Sequence, residues 1–249
     1  MKKNETMQNT FEQAFGKKRN NVKSNSLESQ KITNHIWEMI DGSSIYLQFG
    51  DWNQALTSIN TNILILERLY SRKLNENKDY WRIFAFKANA LEELQRYEEA
   101  IEAYEYAIEN SDDDISIYAL YHQIGWCYLN FKNDNKAVEF YTYAIELKKQ
   151  HPNTSSNEDL EGIDNGVLLG KEFKQMYINR GNSYKNIGQL QYAQNDCISA
   201  INADPNYSNP YLLLYQIYNL AGQKEKAVQF LQKSASMGNQ NAMRMLNNL

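Results

Sequence analysis

A chain of 249 residues with a net charge of −4 has room for one or two globular domains, and it lacks the basic excess that marks a general nucleic-acid binder. Only 3 Pro and 11 Gly, among many Ala, Leu, Tyr, Glu and Lys, suit an all-helical chain. No apolar run approaches the ~20 residues that cross a bilayer, and no apolar stretch follows Met1-Lys2-Lys3 to make a secretory signal.

Residues 1–33 are rich in Asn, Lys, Gln and Ser, and their low hydrophobicity predicts a disordered tail. The alternative is a short helix whose Phe11 and Phe15, spaced i, i+4, dock on the rest of the chain or on a partner.

From Ile36 the pattern becomes helical. A first unit, near 36–70, holds Met39 and Tyr46, a turn at Phe49-Gly50-Asp51-Trp52, and a second helix with Ala55, Leu56, Ile59, Ile63 and Leu66 at helical period. The polar run Asn75–Asp79 is a loop. A second unit, near 81–114, carries Phe84, Ala88, Leu91, Ala100, Tyr104 and Ala107. The acidic run at Asp112-Asp113-Asp114 suits a helix N-terminus better than a metal site, because adjacent carboxylates do not converge on one ion.

The third unit, near 118–151, is the clearest: Tyr121, Ile124-Gly125, Tyr128, then Ala137, Tyr141 and Ala144. Residues 152–173 read as an insertion with an acidic stretch at Glu158–Asp164. Its Val167-Leu168-Leu169 either anchors the insertion or begins the next helix. A fourth unit, near 174–207, holds Tyr177, Gly181, Tyr184, Ala193, Cys197 and Ala200; a fifth, near 208–241, holds Tyr211, Leu214, Tyr218, Ala227, Leu231 and Ser234. Residues 242–249 read as a capping helix. The key alanines Ala55, Ala100, Ala137, Ala193 and Ala227 are separated by 45, 37, 56 and 34 residues, so insertions interrupt a 34-residue period.

This pattern resembles the tetratricopeptide repeat family. Its small residues sit where helices approach closely and its aromatics fill the wedge between hairpins. The resemblance covers about four-fifths of the chain and implies an all-α, right-handed α-solenoid of about five helix hairpins with a C-terminal cap. Cys127 and Cys197 then fall at positions that face a neighbouring helix. They read as reduced, buried thiols, which points to a cytoplasmic location.

The resemblance also implies a concave face built from the first helix of each unit. That face presents Arg82, Phe86, Asn89, His122, Gln123, Trp126, Asn130, Asn179, Asn182, Asn186 and Gln216 as the partner-binding set. The same positions carry Glu92, Leu129, Gln175, Lys185, Asn209, Asn219 and Leu220. Amides pair with the backbone of an extended peptide, and Trp126 is a favoured contact residue. The other reading is a merely solvated face of an Asn-rich chain. Some family members clamp a chaperone's C-terminal carboxylate with Lys and Asn; here only Asn89 or Asn179 fits that pattern, so this type of co-factor is not expected.

Catalysis is not expected. His35, His122 and His151 lie in different units or loops, and no phosphate loop or metal-spaced pair accompanies them. The chain is therefore read as a non-enzymatic adaptor or scaffold without a cofactor, binding a peptide or helix of another protein in its groove. The alternative is a self-associating scaffold using the solenoid ends or the 152–173 insertion.

Overall fold

The computed structural model describes residues 27–77, 79–111, 114–150 and 165–248. Among them every regular element is an α-helix. The chain divides into two compact units, residues 1–131 and 132–249.

Unit 1 contains α1 (Leu27–Gln48), α2 (Trp52–Tyr70), a short α3 (Arg72–Asn75), α4 (Trp81–Glu93), α5 (Tyr97–Glu109) and α6 (Asp114–Asn130). Helix α1 packs on α2, α4 on α5 and α5 on α6, with α2 also lying against α3 and α4. The α1–α2 hairpin closes at Gly50, whose φ of +71° is open to glycine at little cost. Asp51 caps α2 by accepting from the Gln54 amide at 3.0 Å. Between the two helices runs a polar seam. Asn62 Nδ2 donates to the Met39 carbonyl at 3.1 Å and to Ser43 Oγ at 3.0 Å. The apolar face of α2 (Ala55, Leu56, Ile59, Ile63, Leu66) is buried.

Helix α1 begins at Leu27, and Ile32 and Thr33 are buried, so the expected tail boundary at residue 33 falls inside a helix. The reason is tertiary. Thr33 Oγ1 donates to Asp79 Oδ2 at 3.2 Å, and Asn77 Nδ2 donates to Thr33 Oγ1 at 3.1 Å. The loop before α4 thus pins the first turns of α1. Phe11 and Phe15 lie outside the described residues.

Unit 2 contains α7 (Asp134–Gln150), α8 (Asn165–Asn186), α9 (Leu190–Ala203), α10 (Asn209–Leu220), α11 (Lys224–Ser236) and α12 (Gln240–Leu246). Consecutive helices pack together, and α8 also touches α10. Residues 165–173, read as part of an insertion, belong to α8; the remainder of that insertion is outside the described residues. Val167-Leu168-Leu169 accordingly extend the fourth unit's first helix.

Close approach explains Gly181. A Cβ there would meet Leu213 Cδ2 at 3.1 Å and Asp196 Cβ at 3.3 Å. The core beneath it gathers Ile178, Ala193, Cys197, Ala200, Leu213, Leu214 and Ile217. Beside this core Arg180 reaches Asp196 with both Nε (2.9 Å) and Nη2 (2.7 Å), and its Nη1 donates to Thr142 Oγ1 at 3.0 Å. Helix α12 is capped by Asn239, whose Oδ1 accepts from the Ala242 amide at 3.0 Å, and Ala242 is fully buried against α11. Both cysteines are free and buried, and burial pushes both thiols up, out of reach of thiolate chemistry at neutral pH.

Candidate interaction surfaces

The eleven residues read as a binding set divide between the units, seven on α4 and α6 and four on α8 and α10.

On α4, Arg82 and Phe86 are buried at 6% and 1% exposure. Arg82 Nε donates to Asp79 Oδ1 at 2.9 Å, and its guanidinium lies 4.5 Å from the centre of Trp81 and 5.6 Å from that of Trp37. Both residues belong to the packing of unit 1 rather than to its surface. The loop ahead of α4 holds Arg82 through Asp79, and repeat register cannot foresee what such a loop folds onto. Asn89, one turn further on, is half-buried.

Helix α6 carries the other four, His122, Gln123, Trp126 and Asn130. Trp126 is the exposed one, at 37%, although its neighbours Gly125 and Cys127 are buried. Asn130 Nδ2 donates to the Trp126 carbonyl at 2.9 Å, which orients the amide along the helix. His122 Nδ1 lies 3.2 Å from Gln123 Oε1, and burial pushes the imidazole down to about 4, so it is neutral at pH 7.

Behind this face sits a group that the sequence reading passed over as a site. Glu92 is buried on α4, and three donors converge on its Oε2: the Tyr104 hydroxyl at 3.0 Å, Gln123 Nε2 at 3.5 Å and the Cys127 thiol at 4.0 Å. Burial pushes its carboxyl up to about 8, with the Tyr104 hydrogen bond pulling the other way and Glu93 adding to the rise. Glu92 thus ties α4, α5 and α6 together beneath the Trp126 face. The signal in the sequence is a Glu at an inner helix position opposite a buried Tyr.

In unit 2 the amides differ in availability. Asn179 is buried at 5% and its Oδ1 accepts from Gln175 Nε2 at 2.8 Å. Asn182 is half-buried and donates one N–H to the Ile178 carbonyl at 3.0 Å. Asn186 is exposed and donates to Asp134 Oδ1 at 2.8 Å. Gln216, on α10, accepts from Lys185 Nζ at 2.8 Å. Asn182, Lys185 and Asn186 recur at i, i+3, i+4 and share one face of α8, and the Lys185–Gln216 bond bridges that face to α10.

At the edge of this face, Gln175 accepts from the Tyr207 hydroxyl at 2.6 Å. Asn209 Nδ2 donates to the same hydroxyl at 2.7 Å, and Asn239 Nδ2 donates to Asn209 Oδ1 at 3.0 Å. The first helices of successive hairpins are thereby held in register by polar side chains.

The fold is all-α and of the α-solenoid class, built from tandem helix hairpins. The tetratricopeptide repeat profile matches residues 82–114, 118–151 and 174–207, and the chain is a tetratricopeptide repeat protein. No curated protein matches the sequence. Among solved structures, the chain is similar to YrrB, described as a TPR protein with an unusual peptide-binding site: 15% identity, 89% of this chain and 100% of that one, TM-score 0.59. It is similar to BtubC from P. vanneervenii, at 17% identity over 87% of each chain with a TM-score of 0.63. Residues 41 to the end of MamA from Desulfovibrio magneticus RS-1 share 14% identity over 82% of this chain and 95% of that one, with a TM-score of 0.60. At these identities the likeness is one of fold.

The repeats support a protein-interaction module, and proteins of this family and fold are typically non-enzymatic. No helix among the described residues is long and apolar enough to cross a membrane.

Proposed function

We propose that the chain is an adaptor that binds a segment of a partner protein along the first helices of its repeats. In unit 1 the contact is the α6 face with Trp126 at its centre and Asn130 and Asn89 beside it. In unit 2 it is the face of α8 and α10 with Asn182, Asn186 and Gln216. Trp126 is the observation that carries this reading. A third of the largest side chain in the alphabet stays in water on a helix whose adjacent residues are buried. A buried partner contact there would recover apolar area at roughly 25 cal/mol per Å², and Trp is over-represented among residues that dominate interfaces.

The amides suit the same task. Asn182 and Asn130 each spend one N–H on their own helix and keep one N–H and a carbonyl oxygen, the complement of a peptide group. His122, half-buried and neutral at pH 7, favours recognition by shape and hydrogen bonding in unit 1.

Site-resolved photocrosslinking tests this reading. A photoreactive residue is placed at Asn130 or Asn219, on first helices, or at Glu102 or Tyr192, exposed on second helices. Adducts with one partner from the first pair alone support the reading. Adducts from Glu102 and Tyr192 alone would move the interface to the opposite faces of the hairpins.

A further inference from the structure

We propose that unit 2 carries a carboxylate-binding site centred on Lys185, which takes an Asp or Glu side chain of an extended partner segment lying along α8 and α10. This rests on the reading of those helices as a binding face and names the chemistry of the partner.

The argument begins with an imbalance. Three partly or fully buried cations face a carboxylate: Arg82 pairs with Asp79, Lys174 with Asp204 and Arg180 with Asp196. Lys185 is half-buried too, yet its Nζ donates to the neutral Oε1 of Gln216 at 2.8 Å. No carboxylate of the described residues lies within ion-pair distance of it. Asp134 acts on it from α7, but that carboxylate accepts from Asn186 Nδ2 at 2.8 Å. Burial lowers the pKa of Lys185, the opposite of what a paired ammonium shows. An ammonium has three N–H donors. One is spent on Gln216, and taking the charge out of water is costly until an anion answers it.

The neighbours say which carboxylate. Asn182 precedes Lys185 on the same face of α8 and Asn186 follows it. Groups that pair with a peptide backbone therefore lie on both sides of the cation. A side-chain carboxylate lets the backbone run past Lys185 and meet both; a chain terminus would stop there and leave one side unused. On α10, Leu220 is 63% exposed and next to Asn219, which offers the residue beside the acid an apolar contact. Lys226 and Lys233, by contrast, lie over the rings of Tyr218 and Tyr211.

The test uses the full chain, immobilised, and three pools of nonapeptides in which the positions flanking the central residue are random and uncharged. One pool is N-acetylated and C-amidated with a central glutamate. The second is identical but has a central glutamine. The third has the central glutamine and a free C-terminal carboxylate. The expected result is retention of the glutamate pool about fivefold over the glutamine pool, falling in salt as an ion pair should. Lys185→Gln brings that ratio to one while Lys226→Gln leaves it unchanged, and both variants match the wild type in thermal unfolding. Equal retention of the first two pools would leave peptide binding standing and overturn the carboxylate site. A preference that survives Lys185→Gln, or one confined to the free C-terminus, would overturn it as well. Retention of no pool would overturn both the site and the peptide-binding reading of unit 2.

Discussion

The Tyr104 hydroxyl donates to Glu92 Oε2 at 3.0 Å in the interior of unit 1, joining α5 to a carboxyl that burial has pushed up to about 8. A raised carboxyl pKa means that the folded state binds the proton more tightly than the unfolded chain, whose value is 4.5. Stability from this group is therefore full below 4.5 and declines as pH rises toward about 8. His122 acts in the other direction, since its value falls from 6.5 to about 4, so its neutral burial costs stability as pH drops through that range. Between 6.5 and about 8 only Glu92 of the two still titrates. Urea unfolding should show unit 1 weakening over that window, by up to about 1.4 kcal/mol per pH unit per proton. Glu92→Gln should flatten the slope. An unchanged slope in that variant would show that another group sets it.

Arg180 and Asp196 form a two-pronged pair with side chains 15% and 5% exposed. Burial pushes Asp196 up while the guanidinium pulls it back. Removing one partner strands a buried charge, so Arg180→Met should cost about 3–5 kcal/mol. The double variant Arg180→Met/Asp196→Leu should recover most of that loss. A double variant as unstable as the single one would place the cost in lost packing against Tyr177 and Tyr184, which flank the guanidinium.

Two helical glycines should respond with opposite signs. Gly181→Ala puts a methyl 3.1 Å from Leu213 Cδ2 and should cost about 1–3 kcal/mol. Gly42 has nothing within 4 Å of the corresponding position, so Gly42→Ala should gain about 0.5–1 kcal/mol from helix propensity. Denaturation midpoints of the two variants decide both.

The turns between paired helices share a left-handed residue. Glycine holds it at Gly50, Gly188 and Gly222, with φ of 71°, 78° and 74°, but Gln95 holds it at 60°. Gln95→Gly should therefore stabilise unit 1 by up to about 1 kcal/mol, and Gly222→Ala should destabilise unit 2 by a similar amount. A destabilised Gln95→Gly would show that the Gln95 side chain contributes more than its backbone strain costs.

Much of the fold was legible because repeat packing is local. Ala55, Ala100, Ala137, Ala193 and Ala227 are at most 1% exposed, and Tyr104 and Tyr141 are fully buried, as the spacing required. The exceptions all involve insertions or side-chain partners. Arg82 is held by Asp79 in the loop before α4, and Asn179 is held by Gln175. Helix α1 reaches back to Leu27 because Asn77 and Asp79 grip Thr33, a contact spanning more than forty residues. Lys185 stood in the sequence at an outward position like any other. That its ammonium donates to Gln216, with the nearby Asp134 carboxylate taken up by Asn186, became visible only in the folded chain.

The most direct test of the central claim is capture from extract of the source cells by wild type beside Trp126→Ala and Asn182→Ala, with the chain's mass followed by light scattering. A partner retained by wild type and lost or sharply weakened in the variants, on a chain of unchanged mass, is the predicted result. Capture indifferent to both substitutions, with a wild type that elutes as a multimer and dissociates when residues 240–249 are removed, would contradict it and assign the chain to self-association through its end.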